Sequence, residues 1–159
     1  MKTIEQVIAL FPSTKPEQWK QHANGKGWVF ETASAEVSAL VEGIVFGNAQ
    51  VSGNAQVYSN ARVSDDAQVF GDARVSGDAR VFGDARVFDD AWTTTPLFVQ
   101  GTKHAATNCK HGWLAIGCQV RTFADWQANV ETIAKENDYT KEEAAEYRAI
   151  VDFMVKVGK

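Results

Sequence analysis

No stretch of the sequence approaches the roughly 20 consecutive apolar residues that a bilayer-spanning helix requires, so an integral membrane role is not expected. The opening, MKTIEQVIALFPSTKPEQW, carries Glu5 within its apolar stretch and lacks a small-residue cleavage site, which argues against a secretory leader and for a cytoplasmic protein. Cysteine is scarce: a bridge between Cys109 and Cys118 can be drawn, but nothing else points to an oxidising compartment, and reduced thiols are expected. Positive charge is also short where a duplex binder would need it. The segment 29–94 holds Arg62, Arg74, Arg80 and Arg86 against a clear excess of Asp and Glu, the first 28 residues lean positive, and residues 95–159 balance, for −4 overall. Duplex nucleic acid, which demands a basic surface facing the phosphates, is therefore not an expected partner, while a local basic patch for one small anion stays open. Histidine is missing from 29–94, and no nucleophile motif or glycine-rich phosphate loop occurs elsewhere. With 159 residues the chain can bury one modest core, giving one domain or one domain with appendages.

What is present is a repeat. Val45, Val51, Val57, Val63, Val69, Val75, Val81 and Val87 recur every six residues, and four positions after each comes Ala, from Ala49 to Ala91. Six divides by two but not by 3.6, so these residues share one face of short strands and not one face of a helix. Between them fall turn formers such as Gly47-Asn48 and Gly71-Asp72. Each hexad reads as a strand and a corner. This pattern resembles the hexapeptide-repeat left-handed parallel β-helix, in which three hexads make a triangular coil and residues 18 apart stack at roughly 4.8 Å. The handedness is what the resemblance implies, since parallel crossovers are normally right-handed. Weaker hexads are expected upstream at Val29/Ala33 and Ala35/Ala39. Val41 and Val45 are then only four apart, which predicts a two-residue frame slip.

The fold class read from this is mainly β, with a helical cap over 1–28, a hexapeptide β-helix over 29–94, and a C-terminal segment of strands and two helices over 95–159. Ile4, Val7, Ile8 and Phe11 have helical spacing, and Thr14-Lys15-Pro16-Glu17 can start a second short helix. Thr122-x-x-Asp125 and Thr140-x-x-Glu143 are N-terminal signatures of two further helices, with Phe123, Trp126, Val130 and Ile133 on one apolar side and Tyr147, Ile150, Val151 and Met154 on the other.

With Val and Ala inside, function falls to the outward positions and the caps. Phe46, Tyr58, Phe70, Phe82 and Phe88 each follow a Val, and so many outward rings need cover, expected from another subunit or the C-terminal helices. Arg74, Arg80 and Arg86 lie two residues after Asp72, Asp78 and Asp84 and are expected to neutralise them. Trp92, which follows Ala91, is read as outward. The 18-residue register stacks Arg62 on Arg80, yet Arg62 has Asn60 where the others have Asp, and Tyr58 is expected on the same face. Two guanidiniums beside a ring suit an anion carrying a flat base. A second candidate lies in QGTKHAATNCKHGWLAIGCQVRTF, where Gln100, Thr102, Lys103, His104, Trp113, Arg121 and Thr122, with Lys110 and His111, supply cations, hydrogen-bonding groups and a stacking surface for a phosphorylated small molecule. His104, Cys109, His111 and Cys118 lack the usual C-x2-4-C knuckle, so no metal and no cofactor is expected.

The hexads together with VQGTKHA, IGCQVRTFADW and YTKEEAAEYR resemble small hexapeptide-repeat proteins of bacteriophages and prophages. Some proteins of this kind are sponges that bind cyclic nucleotide immune signals of defence systems such as CBASS or Thoeris without degrading them. The resemblance implies a non-catalytic homo-oligomer, most simply a trimer, with Arg62 and Arg80 or Lys103 and Arg121 on phosphate. Tyr58 or Trp113 would stack on a base, and Gln100, Thr102, His104 and Thr122 would read polar edges. The C-terminal set is slightly favoured, because the solenoid arginines have a structural explanation. Two alternatives stand beside it: an acetyl-CoA-dependent hexapeptide acyltransferase using His104 or His111 as general base, and a purely structural trimer of a phage assembly.

Overall fold

Each hexad forms two or three residues of strand and a tight corner, because Val points inward and the third residue of the unit turns the chain in the left-handed region. Gly47, Gly53, Gly71, Gly77 and Gly83 have φ between 62° and 68°, and Ser59, Asp65 and Asp89 adopt the same conformation at the equivalent positions. The corner is closed by a turn hydrogen bond such as Ala61 N–H to Tyr58 O at 3.0 Å. The computed structural model describes residues 1–158, in two compact units, one spanning Met1–Thr95 and one from Pro96 onward. The first is a parallel β-solenoid of about four turns.

Its three faces are ladders. Face A carries Trp28–Phe30, Ile44–Val45, Arg62–Val63 and Arg80–Val81; face B carries Ser34–Ala35, Gln50–Val51, Gln68–Phe70 and Arg86–Phe88; face C carries Leu40–Val41, Gln56–Val57, Arg74–Val75 and Ala91–Trp92. Val and Ala fill the interior, with Val45, Val57, Val63, Ala49, Ala61 and Ala67 at 0% exposure. The register shows the predicted slip: Val29 pairs with Val45, Ala35 with Val51 and Val41 with Val57, all 16 apart, whereas Val45 pairs with Val63, 18 on. Only Glu42 and Gly43 lie between Leu40–Val41 and Ile44–Val45, where four residues separate Ile44–Val45 from Gln50–Val51, and both of their amides donate to Val57 O, at 2.8 and 3.0 Å.

The last coil departs from the hexad reading. Val75 pairs with Trp92, and Arg74 with Ala91, so one residue is lost at the final corner. Trp92 points inward and is 2% exposed, while Ala91 is exposed. The last rung has no coil of small residues to stack beyond it, so the large indole takes the interior place and fills the end of the core.

The N-terminal segment is helical only in part. The helix α1 (Ile4–Leu10), capped by Thr3 and Gln6, is followed by a single 3-10 turn over Pro16–Gln18 instead of a second helix. Trp19–Gln21 then pairs antiparallel with Trp28–Phe30, which covers the open edge of face A. Val7, Trp19 and Ile44 form a buried cluster with Phe11, Trp28, Phe30 and Phe46 packed against it, so the cover over Phe46 is the N-terminal segment itself. Phe11 and Phe46 stack at 4.6 Å between centroids.

The second unit is an antiparallel meander of Phe98–Gln100, Ala105–Lys110, Trp113–Ile116 and Gln119–Thr122, followed by α2 (Phe123–Glu136) and α3 (Lys141–Val157). Thr122 and Thr140 cap these helices as their spacing predicts. Ala106, Leu114, Ile116, Trp126, Val130, Ile133, Tyr147, Val151 and Met154 make its core, and Trp126 Nε1 donates to Leu114 O at 2.7 Å. Among the described residues, no helix is long and apolar enough to cross a membrane.

Candidate functional site

Two outward columns run down face A. The residues before each interior position are Trp28, Ile44, Arg62 and Arg80, and those after it are Phe30, Phe46, Ser64 and Phe82. The N-terminal segment covers the first two rungs. Beyond it lies an open groove of about 440 Å³ lined by Phe11, Phe46, Arg62, Ser64, Asp65, Arg80 and Phe82, with parts of Ile44 and Val63 beneath.

Arg62 and Arg80 are direct neighbours across the ladder, as the 18-residue period requires. Neither forms an ion pair among the described residues, and nor do Arg74 and Arg86. The expected Asp-Ala-Arg pairs do not form, because each Asp sits in a corner, where the strand rule that places i and i+2 on one side does not apply. Of these acids Asp72 bonds to a neighbouring rung, accepting from Asn54 Nδ2 at 3.2 Å, and two other corner acids do likewise, Asp66 from Asn48 Nδ2 at 3.1 Å and Asp65 from the Gly83 amide at 3.1 Å. Arg86 lies over the Phe70 ring at 5.8 Å, and Phe70 stacks on Phe88 at 5.1 Å. Like charges about 5 Å apart repel by about 1 kcal/mol even in water, and a shared anion would lower that cost for two arginines on adjacent rungs, beside which Asp65 is the one acid lining the groove.

Tyr58 is not part of this groove. It continues the Gln56–Val57 strand on face C, its amide bonds to Val75 O, and its hydroxyl donates to Gln56 Oε1. A corner separates it from Arg62, so the two belong to different faces. The rings beside the arginines are Phe46, Phe82 and Phe11; the 18-residue period stacks Phe46, Ser64 and Phe82 in one column, a signal present in the sequence.

The C-terminal candidates divide between the two ends of the meander. Thr102, Lys103 and His104 occupy the loop after Gln100, at the end shared with Cys118 and Gln119; Trp113, Arg121 and Thr122, with Lys110 and His111, lie at the other. Trp113 pairs with Thr122 and Leu114 with Arg121. Most of these groups hold structure. Thr102 N–H and Oγ1 bond to Glu146 at 2.8 and 2.5 Å, and Lys103 Nζ donates to Asp138 O at 3.1 Å, meets Glu143 at 3.4 Å and lies 4.4 Å from the Tyr139 ring centroid. The Thr140 amide, with the Lys103 ammonium, holds the Glu143 carboxyl below its usual range. Tyr147 Oη accepts from the Lys103 and His104 amides at 3.1 and 2.5 Å and donates to His104 O at 2.8 Å. Arg121 donates to Asp125 at 2.8 Å, and that guanidinium, together with Asn129, lowers the Asp125 pKa. Thr122 Oγ1 is occupied as the cap of α2. His104 lines a small cavity of about 50 Å³ with Cys118, Gln119, Asn137 and Tyr139. His104 and His111 sit at opposite ends of the sheet, and Cys109 is buried within a strand. Among the described residues, no three His, Cys, Asp or Glu side chains form a metal-holding cluster.

A family model described as the YdcK beta solenoid repeat matches residues 55–71 and 67–81, the middle coils that carry Arg62 and Arg80. No curated protein and no solved structure matches the chain. The matched repeats and the stacked ladders agree: the chain is a repeat β-solenoid protein.

Proposed function

We propose that this protein captures a nucleotide and holds it unchanged in the face A groove, the class of ligand being the cyclic nucleotide signals suggested by its resemblance to phage sponge proteins. The observation that carries the reading is the pair Arg62 and Arg80, adjacent, free of ion pairs and flanked by aromatic rings. A guanidinium offers fixed, forked donors that match phosphate and stays charged throughout the biological range, so it grips an anion without exchanging a proton with it. Asp65 is engaged by the Gly83 amide, and Ser64 Oγ donates to Asp65 at 3.3 Å, which favours a binding role for these groups over general acid or base work. The reading carries the partners with it: a homo-oligomer, most simply a trimer, in a bacterial cytoplasm, acting against a host defence signal.

The test is native mass spectrometry with a panel of cyclic di- and trinucleotides, cyclic ADP-ribose variants and acetyl-CoA. The proposal expects stoichiometric occupancy by an intact cyclic nucleotide, lost by roughly 10- to 100-fold in affinity in Arg62→Ala and again in Arg80→Ala, at about 1.5–3 kcal/mol per charge-assisted contact. Wild-type protein that leaves every nucleotide unbound overturns it. Acetyl-CoA binding with acyl transfer dependent on His104 or His111 selects the enzyme instead.

A further inference from the structure

The same groove has a second feature that the arginines do not explain. In the column after the interior Val, Ser64 stands between Phe46 and Phe82, so a small side chain separates two rings that lie two rungs apart. Rungs repeat at about 4.8 Å, which places the backbones of Phe46 and Phe82 roughly 9.6 Å apart. One planar group between two rings needs about 7 Å from ring to ring at van der Waals contact, and two stacked groups need about 10.5 Å. The gap is wider than the one-ring spacing by about 2.6 Å and short of the two-ring spacing by about 0.9 Å, so there is room for a planar group between the walls.

Its walls and floor differ in chemistry. Phe46 packs against Phe11 at 4.6 Å and Trp19 at 5.7 Å, which makes it a fixed wall, and Phe82 is 40% exposed. Ser64 places a hydroxyl at the floor, and Arg62 and Arg80 occupy the adjacent column on the same strands.

We infer that the Ser64 notch is a slot for a nucleobase, so that the groove takes a base between Phe46 and Phe82 and the phosphate attached to it on Arg62 and Arg80. This rests on the nucleotide reading above and makes it more specific.

Ligand-observed NMR titration of the full chain separates the two claims with AMP, ribose 5-phosphate and pyrophosphate as probes. AMP is expected to bind more tightly than ribose 5-phosphate by roughly five- to 150-fold, the range set by one base stacking on aromatic side chains. Ser64→Phe, which completes an unbroken column of phenylalanines, is expected to remove that preference while ribose 5-phosphate still binds; Ser64→Ala is expected to keep it. Phe82→Ala, which removes one wall, is expected to reduce the preference several-fold and serves if Ser64→Phe does not fold by circular dichroism. Equal binding of AMP and ribose 5-phosphate, or an undiminished preference in a folded Ser64→Phe or Phe82→Ala protein, overturns the slot and leaves the anion site standing. Failure of all three probes to bind overturns both.

Discussion

The short corner at Glu42-Gly43 is a place where a single methyl group should do measurable damage. A Cβ on Gly43 would lie against the carbonyl oxygen of Ala61 and 2.9 Å from Val57 Cγ1, well inside the roughly 3.5–4.0 Å of ordinary carbon contact. Neither neighbour can give way alone: Ala61 O accepts the Ile44 amide at 3.1 Å, and Val57 belongs to the interior stack. Relief requires the corner to lift, which strains the Glu42 and Gly43 amides on Val57 O, each contributing about 1 kcal/mol. Overpacking adds about 1–3 kcal/mol, so Gly43→Ala should cost about 3 kcal/mol locally. Hydrogen exchange followed by mass spectrometry over 40–48 should then show amide exchange accelerated roughly 100-fold or more. Gly112 provides the comparison, since a Cβ there meets nothing within 4 Å and Gly112→Ala carries only the cost of its φ of 75°. If Gly43→Ala accelerates exchange at its corner no more than Gly112→Ala does at its own, the steric account of the frame slip is wrong.

Three further outcomes follow from the geometry. Ser59 has φ 55° at a corner where most equivalents are Gly, so Ser59→Gly should raise stability by about 0.5–1 kcal/mol in urea denaturation, whereas Asp65→Gly should not, because it loses the bond to Gly83. Tyr147→Phe strands the Lys103 and His104 amides, while His104 O keeps the Gly101 amide at 3.2 Å, and should cost about 1–3 kcal/mol, read as faster exchange at Lys103 and His104; unchanged exchange there would refute the latch. Burial, and then the neighbouring Tyr147 and Glu143, push the Tyr139 phenol up to about 12. Its contribution to stability should be complete below about pH 10, the unfolded value, and disappear as pH rises through about 12, and Tyr139→Phe should flatten that alkaline loss in a denaturation series.

The solenoid was legible because its period is local: six residues fix which side chains are inside without knowledge of any partner, and the four-residue gap from Val41 to Val45 exposed the slip. The helices after Thr122 and Thr140 were legible for the same reason, since a cap and its partner lie three residues apart. What failed depended on how the ends and corners resolve. A hexad count that runs on by six places Trp92 outward, whereas the final rung drops a residue and brings the indole inside. The strand rule that pairs Arg74, Arg80 and Arg86 with Asp residues does not hold across a corner. The C-terminal candidates were close in sequence, but an antiparallel meander sends Lys103 and Arg121 to opposite ends.

Face A differs from its neighbours in a way that singles out its groove. All three faces gain cations toward their later rungs, yet face B reads Ser34, Gln50, Gln68, Arg86 and face C reads Leu40, Gln56, Arg74, Ala91, each with one arginine. Only the column Trp28, Ile44, Arg62, Arg80 sets two arginines on adjacent rungs, and it changes from apolar to cationic where the N-terminal cover ends. In the second column face B ends on Phe70 and Phe88, which stack on each other and leave no gap, whereas face A interrupts its rings with Ser64. A face needed only for solubility has no reason to place like charges one rung apart, where they repel. A face needed only for packing has no reason to remove one ring from a column of four. The two departures occur on the same strand, at Arg62 and Ser64 on either side of Val63, and a ligand that is both anionic and flat accounts for both together.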